Sequence, residues 1–293
     1  MKPPLLGSLA PGPLMLMLCA IPASAQEPTA ATAAGCPLEP ARFHACAIEK
    51  MKTFNPPRRV DGRPDMQGYW NRTVTSQDVE AHPEGYGVQA GPSLVIDTPD
   101  RNIPYQPWAR ELRKDMVERY ISPLASCSPP GMPRHVYAPG PHQIVQTPEY
   151  LVHLLEYAHA YRIIPMATGP HVGNAIKLWQ GDSRGHWEGD TLVVDVTNSN
   201  GLTWLDNAGN FYSDALHMVE RFTLVDADTI HYEARVEDPT VYTRPWTMAL
   251  ALIRNKEPGF ELLEQACHEG NHSVESGLSV GLKPYRGVVP PGR

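Results

Sequence analysis

The sequence predicts an all-β protein, an antiparallel up-and-down barrel of about 8–10 strands, with an irregular N-terminal extension that carries one short helix. Three observations carry that prediction. From residue 142 onward, short runs rich in Val, Ile, Leu and Tyr follow one another at hairpin spacing. Turn clusters separate them and no helix-period crossovers intervene, which argues against a parallel α/β sheet. Finally, the run from Gly181 to Asp195 (GDSRGHWEGDTLVVD) holds a turn, an aromatic anchor, a hairpin signal and a β-branched strand. Asp182, Glu188 and Asp195 stand there among strand-forming residues, where carboxylates are disfavoured without a partner or a task.

Residues 1–25 read as a signal peptide. Lys2 precedes the apolar run Leu14 to Ile21, and Ala23-Ser24-Ala25 is a small-residue cleavage site. That run is too short to span a bilayer. Residues 26–135 read as an irregular wrap, with a low-order arm to about residue 60 and an early strand at about 68–74. Trp108, Leu112, Met116, Val117 and Tyr120 recur at helical spacing and predict the one helix, over about 108–121. The barrel core is expected over 136–272, and 273–293 as a tail. Within the core, Ile144–Gln146 and Leu151–Tyr157 flank the turn Thr147 to Tyr150, and Ala160–Pro165 follows. Glu188-Gly189-Asp190 turns His186-Trp187 back onto Thr191–Thr197. Leu216–Val225 and Thr229–Glu237 form the next pair, and Trp246–Arg254 and Phe260–Cys267 the last.

Of the five cysteines, cleavage removes Cys19 and leaves Cys36, Cys46, Cys127 and Cys267. An even number in an exported chain favours two disulfides, Cys36–Cys46 across a short loop and Cys127–Cys267 across a long one. The alternatives are free thiols or a metal site, though no cysteine spacing matches a zinc motif. Cleavage also removes Lys2 and no acidic residue, leaving 24 basic against 32 acidic side chains. That balance argues against nucleic acid and anionic membranes as partners. The mature chain is expected to be periplasmic or secreted, with no membrane association after signal cleavage.

Candidate site residues come from the hairpin over 216–237. With Asp226-Ala227-Asp228 as its loop, Phe222 pairs with Tyr232, Glu220 with Ala234 and His217 with Glu237. Met218, Glu220, Phe222 and Leu224 then share a core face with Ile230, Tyr232, Ala234 and Val236. Glu220 is the intruder on that face. It is either a general acid–base group or one half of a structural ion pair with Arg184, Arg162 or Arg244. His217 is the second catalytic candidate, with Asp214 placed to hold one ring nitrogen. Trp204, Trp246, Arg184, Arg244 and Tyr232 are the expected ligand-binding residues, aromatic and charged groups near a barrel mouth. Gly181-Asp182-Ser183-Arg184-Gly185 fits Gly-x-Ser-x-Gly literally, but a strand follows where a hydrolase elbow needs a helix. No phosphate loop, dinucleotide fingerprint, haem motif or EF-hand pattern is present, and no cofactor or metal is expected.

Pro64 to Trp70, Gly181 to Asp195, Asp214 to Phe222 and Tyr242 to Thr247 together resemble a large group of functionally uncharacterised exported bacterial proteins. The resemblance spans about residues 60–272 and implies no activity, substrate or catalytic residue. Gly68-Tyr69-Trp70 also resembles the Gly-x-Trp that opens lipocalin-like barrels, which implies architecture alone. The lone carboxylate on the core face, with aromatic and cationic residues at nearby loops, points instead to a cofactor-independent enzyme (lyase, isomerase or hydrolase) acting on a small apolar or aromatic compound by acid–base chemistry. The alternative is a non-catalytic periplasmic binding protein for a hydrophobic ligand.

Overall fold

The computed structural model describes residues 32–73, 78–83, 90–167 and 169–291; the signal peptide expected over 1–25 lies outside them. Nine strands form one antiparallel sheet: β1 (Gly68–Arg72), β2 (His142–Gln146), β3 (Tyr150–Leu155), β4 (Ala160–Pro165), β5 (Asp182–Glu188), β6 (Thr191–Thr197), β7 (His217–Asp226), β8 (Thr229–Glu237) and β9 (Trp246–Arg254). Their order is β4-β3-β2-β1-β9-β8-β7-β6-β5, an up-and-down meander that curls into a nearly closed barrel. Alternation around nine strands leaves β4 and β5 running in the same direction across the seam. No ladder joins them among the described residues. Side chains close the gap instead: Arg162 Nε donates to Ser183 Oγ at 2.9 Å. A Cβ at Gly185 would lie 2.7 Å from Met166 Sδ and 2.9 Å from Ile164 Cγ2, so only glycine lets the seam pack this closely.

The registers follow the predicted alternation. Phe222 pairs with Tyr232, Glu220 with Ala234 and His217 with Glu237, and the register shifts only between Leu224 and Asp226, beside the turn. Glu188 pairs with Thr191 across Gly189-Asp190, where Gly189 takes the left-handed conformation (φ 59°) of a two-residue hairpin loop. Inward side chains, among them Ile144, Leu151, Ile164, Val194, Met218, Phe222, Tyr232 and Leu250, make one buried core.

Several expectations need correction. Phe260–Cys267 forms no strand; β9 pairs with β8 on one side and β1 on the other. The early strand thus takes the place expected for the last one, and the barrel spans 68–254 rather than 136–272. The helix expected over 108–121 is broken at Asp115 into α2 (Pro107–Lys114) and α3 (Met116–Arg119). The arm expected to be of low order holds a twelve-residue helix, α1 (Pro40–Met51), preceded by the N-cap Glu39, whose carboxylate accepts from the backbone N–H groups of Ala41 and Arg42. Phe43 and Ala47 press α1 onto Val225 and Ala251, burying outward positions of β7 and β9 that alternation alone leaves open. A buried turn of helix, α4 (Arg134–Tyr137), lies within the main core, and α5 (Ser273–Ser279) packs near Tyr120–Ile121 in the C-terminal segment. Both disulfides form, Cys36–Cys46 with Cα atoms 5.7 Å apart and Cys127–Cys267 with 5.8 Å. Cys267 lies in a loop, so the second bond pins two irregular segments together. No helix among the described residues is long and apolar enough to cross a membrane.

Candidate functional site

Two polar assemblies occupy opposite faces of the sheet. The first is inside. Glu220 is fully buried on β7; its Oε1 accepts from the Tyr232 hydroxyl at 2.8 Å and its Oε2 from Arg162 Nη2. Arg162 reaches it from β4 while its Nε binds Ser183, so the pair ties both sides of the seam to β7. Burial, and then the Glu220 charge, push the Tyr232 phenol well above its ordinary value and keep it a donor. Glu220 is therefore the structural partner of Arg162, one of the three arginines anticipated for it. Ser183 serves this network from within β5.

Beside that network stand three buried histidines. His142 on β2 and His153 on β3 both point inward by strand alternation, and His135 comes from α4. Their rings form a cluster with centroids 4.7 Å (His135–His153), 5.0 Å (His142–His153) and 6.3 Å (His135–His142) apart. Burial holds all three below the ordinary imidazole range. His142 falls to about 3, with the Arg72 charge adding to burial. His135 is lowered further by His142 and Arg162, against a smaller opposing effect of the His153 backbone. His153 is lowered by His135, His142 and Arg162 as well as by burial. All three are neutral. Their nitrogens are mostly unused: His135 Nε2, both nitrogens of His142, and His153 Nε2 have no hydrogen-bond partner, and neither does Arg162 Nη1. Each such group costs on the order of 1–3 kcal/mol when buried unpaired. Buried polar groups are ordinarily met by a protein group, a water or an ion.

The second assembly is on the outer face of β5, β6 and β7. Asp195 accepts from His217 Nε2 at 2.9 Å on one oxygen and lies 2.8 Å from His171 Nε2 on the other. His171 Nδ1 lies 2.8 Å from Asp182, whose other oxygen accepts from Arg184 Nη1 at 2.9 Å. The result is a continuous chain, Arg184–Asp182–His171–Asp195–His217. Cross-strand pairing sets Arg184 beside Asp195 and Asp195 beside Val219, two positions from His217. His171 arrives from the β4–β5 connection. Asn198 holds that segment by donating its side-chain amide to the carbonyls of Val172, Gly173 and Ile176.

The structure thus brings Glu220 to Tyr232 inside, and on the opposite face links His217 to Arg184 only through Asp195, His171 and Asp182. Asp214 does not hold His217 as expected: it is exposed, its carbonyl accepts from Lys177 Nζ at 2.7 Å, and Asp195 takes the role instead. Trp204 and Trp246 are not at an open mouth. Both are fully buried, packed edge-on against Tyr285 and Tyr242 respectively. Arg244 is exposed and hydrogen-bonds the carbonyls of Pro245 and Asp97. The strand-borne acids Asp182 and Asp195 were legible as needing partners. His135, His142, His153 and His171 were missed; the available signal was a histidine at an inward position in each of two adjacent apolar strands.

Comparison with family models, with curated proteins and with solved structures found no match to this chain.

Proposed function

We propose that the protein is an exported, periplasmic or secreted enzyme that acts on a small apolar or aromatic compound by acid–base chemistry at His217. The observation that carries this reading is the bond from His217 Nε2 to Asp195, with the ring's other nitrogen unengaged among the described residues and the side chain partly open to solvent. A carboxylate that fixes one imidazole nitrogen orients the other for proton transfer and stabilises the ring when it is charged. His171 and Asp182 brace Asp195 from behind, and Arg184 offsets the local negative charge. Glu220 is excluded from this role because both its oxygens are engaged in the interior. The signal-peptide pattern of residues 1–25 and the two disulfides support export; the residues that carry the resemblance to a group of exported bacterial proteins fall largely on β1, β5, β6 and β7.

A second reading, a binding protein for a hydrophobic ligand, is favoured by one cleft. It has a volume of about 400 Å³, lies where β4 and β5 end, and sets Pro148, Met166 and Trp187 beside the polar Asp61, Arg63 and His186. The test separates the two. Compounds that co-purify with the protein are identified by native mass spectrometry and offered back to wild type and His217→Gln. The enzyme reading expects turnover by wild type and a loss of about 100-fold or more in the variant. Turnover that survives His217→Gln at the wild-type rate overturns it, and tight binding with no turnover by wild type favours the second reading.

A further inference from the structure

We propose that His135, His142 and His153 bind a divalent transition-metal cation inside the barrel, in a tetrahedral site that the three imidazoles share with one exogenous anion. One donor nitrogen from each ring lies within 4.8 Å of the others, and all three side chains are fully buried. Ligands at about 2.1 Å in a tetrahedron stand about 3.4 Å apart, so closing the site needs shifts on the order of an ångström. The donor set is all nitrogen, which suits zinc, cobalt, nickel and copper and disfavours magnesium or calcium. Three protein ligands leave the fourth position to a non-protein group.

The charges that act on the three rings are cations, Arg162 on His135 and His153 and Arg72 on His142, so a bound dication needs an anion to offset them. Arg162 Nη1 is unpartnered in the same interior and can donate to that anion. A guanidinium N–H near a dication calls for an anion between them, and a water-derived hydroxide is the simplest. Gln180 Nε2 donates to the Pro130 carbonyl at 3.2 Å and lies 2.8 Å from His135 Nδ1, which accepts from it. Coordination through His135 Nε2 moves the ring proton to Nδ1 and releases this contact. The other cluster, His44, His231 and Glu233, is already paired at its facing atoms: His44 Nδ1 lies 3.0 Å from His231 Nε2 and 3.5 Å from Glu233.

The site stands apart from the His217 reading, which concerns the outer face. The experiment uses the full mature chain, stripped by chelator. Cobalt(II) or zinc(II) is added to the native protein and, separately, during refolding with disulfides intact, so that a closed barrel does not block loading. The expected result is one ion per chain, with the intense visible bands of tetrahedral cobalt and perturbation of three imidazole NMR signals. His135→Gln, His142→Gln and His153→Gln each weaken binding by at least about 100-fold, while His44→Gln leaves it unchanged. Absence of stoichiometric binding under both loading conditions overturns the proposal. So does a site lost in His44→Gln and kept in His153→Gln. If the triad variants fail to fold, the wild-type cobalt spectrum decides alone: octahedral or absent bands overturn it. Metal binding retained in His217→Gln together with lost turnover shows the two sites to be separate.

Discussion

The two faces of the β5–β6–β7 sheet use the same kinds of side chain to opposite ends. Inside, Glu220 and Arg162 are almost without solvent contact (0% and 3% side-chain exposure). Outside, His217 and Asp195 keep 42% and 35%. In the interior, a charge whose partner is removed cannot turn to water, so the pairing is obligatory and fixes how the seam closes. On the outer face water reaches the His217–Asp195 contact, so that pair contributes little to stability and leaves the imidazole open to proton exchange, although Asp182 further along the chain is only 10% exposed. The lesson is that a carboxylate on a strand is a structural commitment when it points inward and a usable group when it points outward. One residue of register decides which.

The largest expected effect tests the interior. Glu220→Gln leaves Arg162 charged and buried without its counterion, and should lower unfolding free energy by about 3–5 kcal/mol in denaturant titration. Replacing both partners together, Glu220→Leu with Arg162→Met, should cost less than the sum of the single changes, because no buried charge is then stranded. Two single effects that simply add would show that the pair is not coupled, and the contrast between the faces would fail.

Much of this was legible because strand alternation has a period of two and leaves little freedom once a hairpin loop is placed. Asp226-Ala227-Asp228 set the register of β7 on β8, and that register put Glu220 inward and His217 outward. What was not legible is non-local. Nothing in the sequence near Trp246 says that β9 pairs with β1, about 180 residues away, rather than with the segment after it. The histidine cage joins a helical residue to two strand residues, and His171 lies on a connection with no periodicity. His217 found Asp195 through the β6–β7 pairing, whereas the sequence offered the nearer Asp214.

An intermediate effect comes from His231, on the outer side of β8 but covered by α1. Burial, with the nearby His44, lowers it from 6.5 to about 3. The groups that face it are Phe43 and His44, with Glu233 3.5 Å from His44. Because the folded value lies below the unfolded one, its contribution is fully present above pH 6.5. It is lost as the pH falls from there toward 3, where the unfolded chain takes up a proton that the folded chain refuses. The slope in that window is at most about 1.4 kcal/mol per pH unit from this group. Stability measured between pH 6 and pH 4 should fall less steeply in His231→Gln than in wild type. Parallel profiles would mean that α1 does not seal this part of the face.

The smallest effect is expected in the outer relay, the chain from Arg184 through Asp182, His171 and Asp195 to His217. Asp195→Asn and His217→Gln each remove a contact between partly exposed groups, where measured pairs contribute about 0–1 kcal/mol. Both variants should therefore unfold within about 1 kcal/mol of wild type. Salt should matter here as well: raising it from about 0.05 to 0.5 M shortens the screening length to a few ångströms and weakens open pairs far more than enclosed ones. The difference between Asp195→Asn and wild type should shrink with added salt, whereas the deficit of Glu220→Gln should persist. The relay has one structural duty that could spoil this expectation, since His171 anchors the β4–β5 connection through Asp182 and Asp195 together. A loss of 3 kcal/mol or more in Asp195→Asn would mean that the relay holds that crossover in place as Arg162 holds the seam. The outer face would then be structural too, and His217 would lose its claim to be the working group.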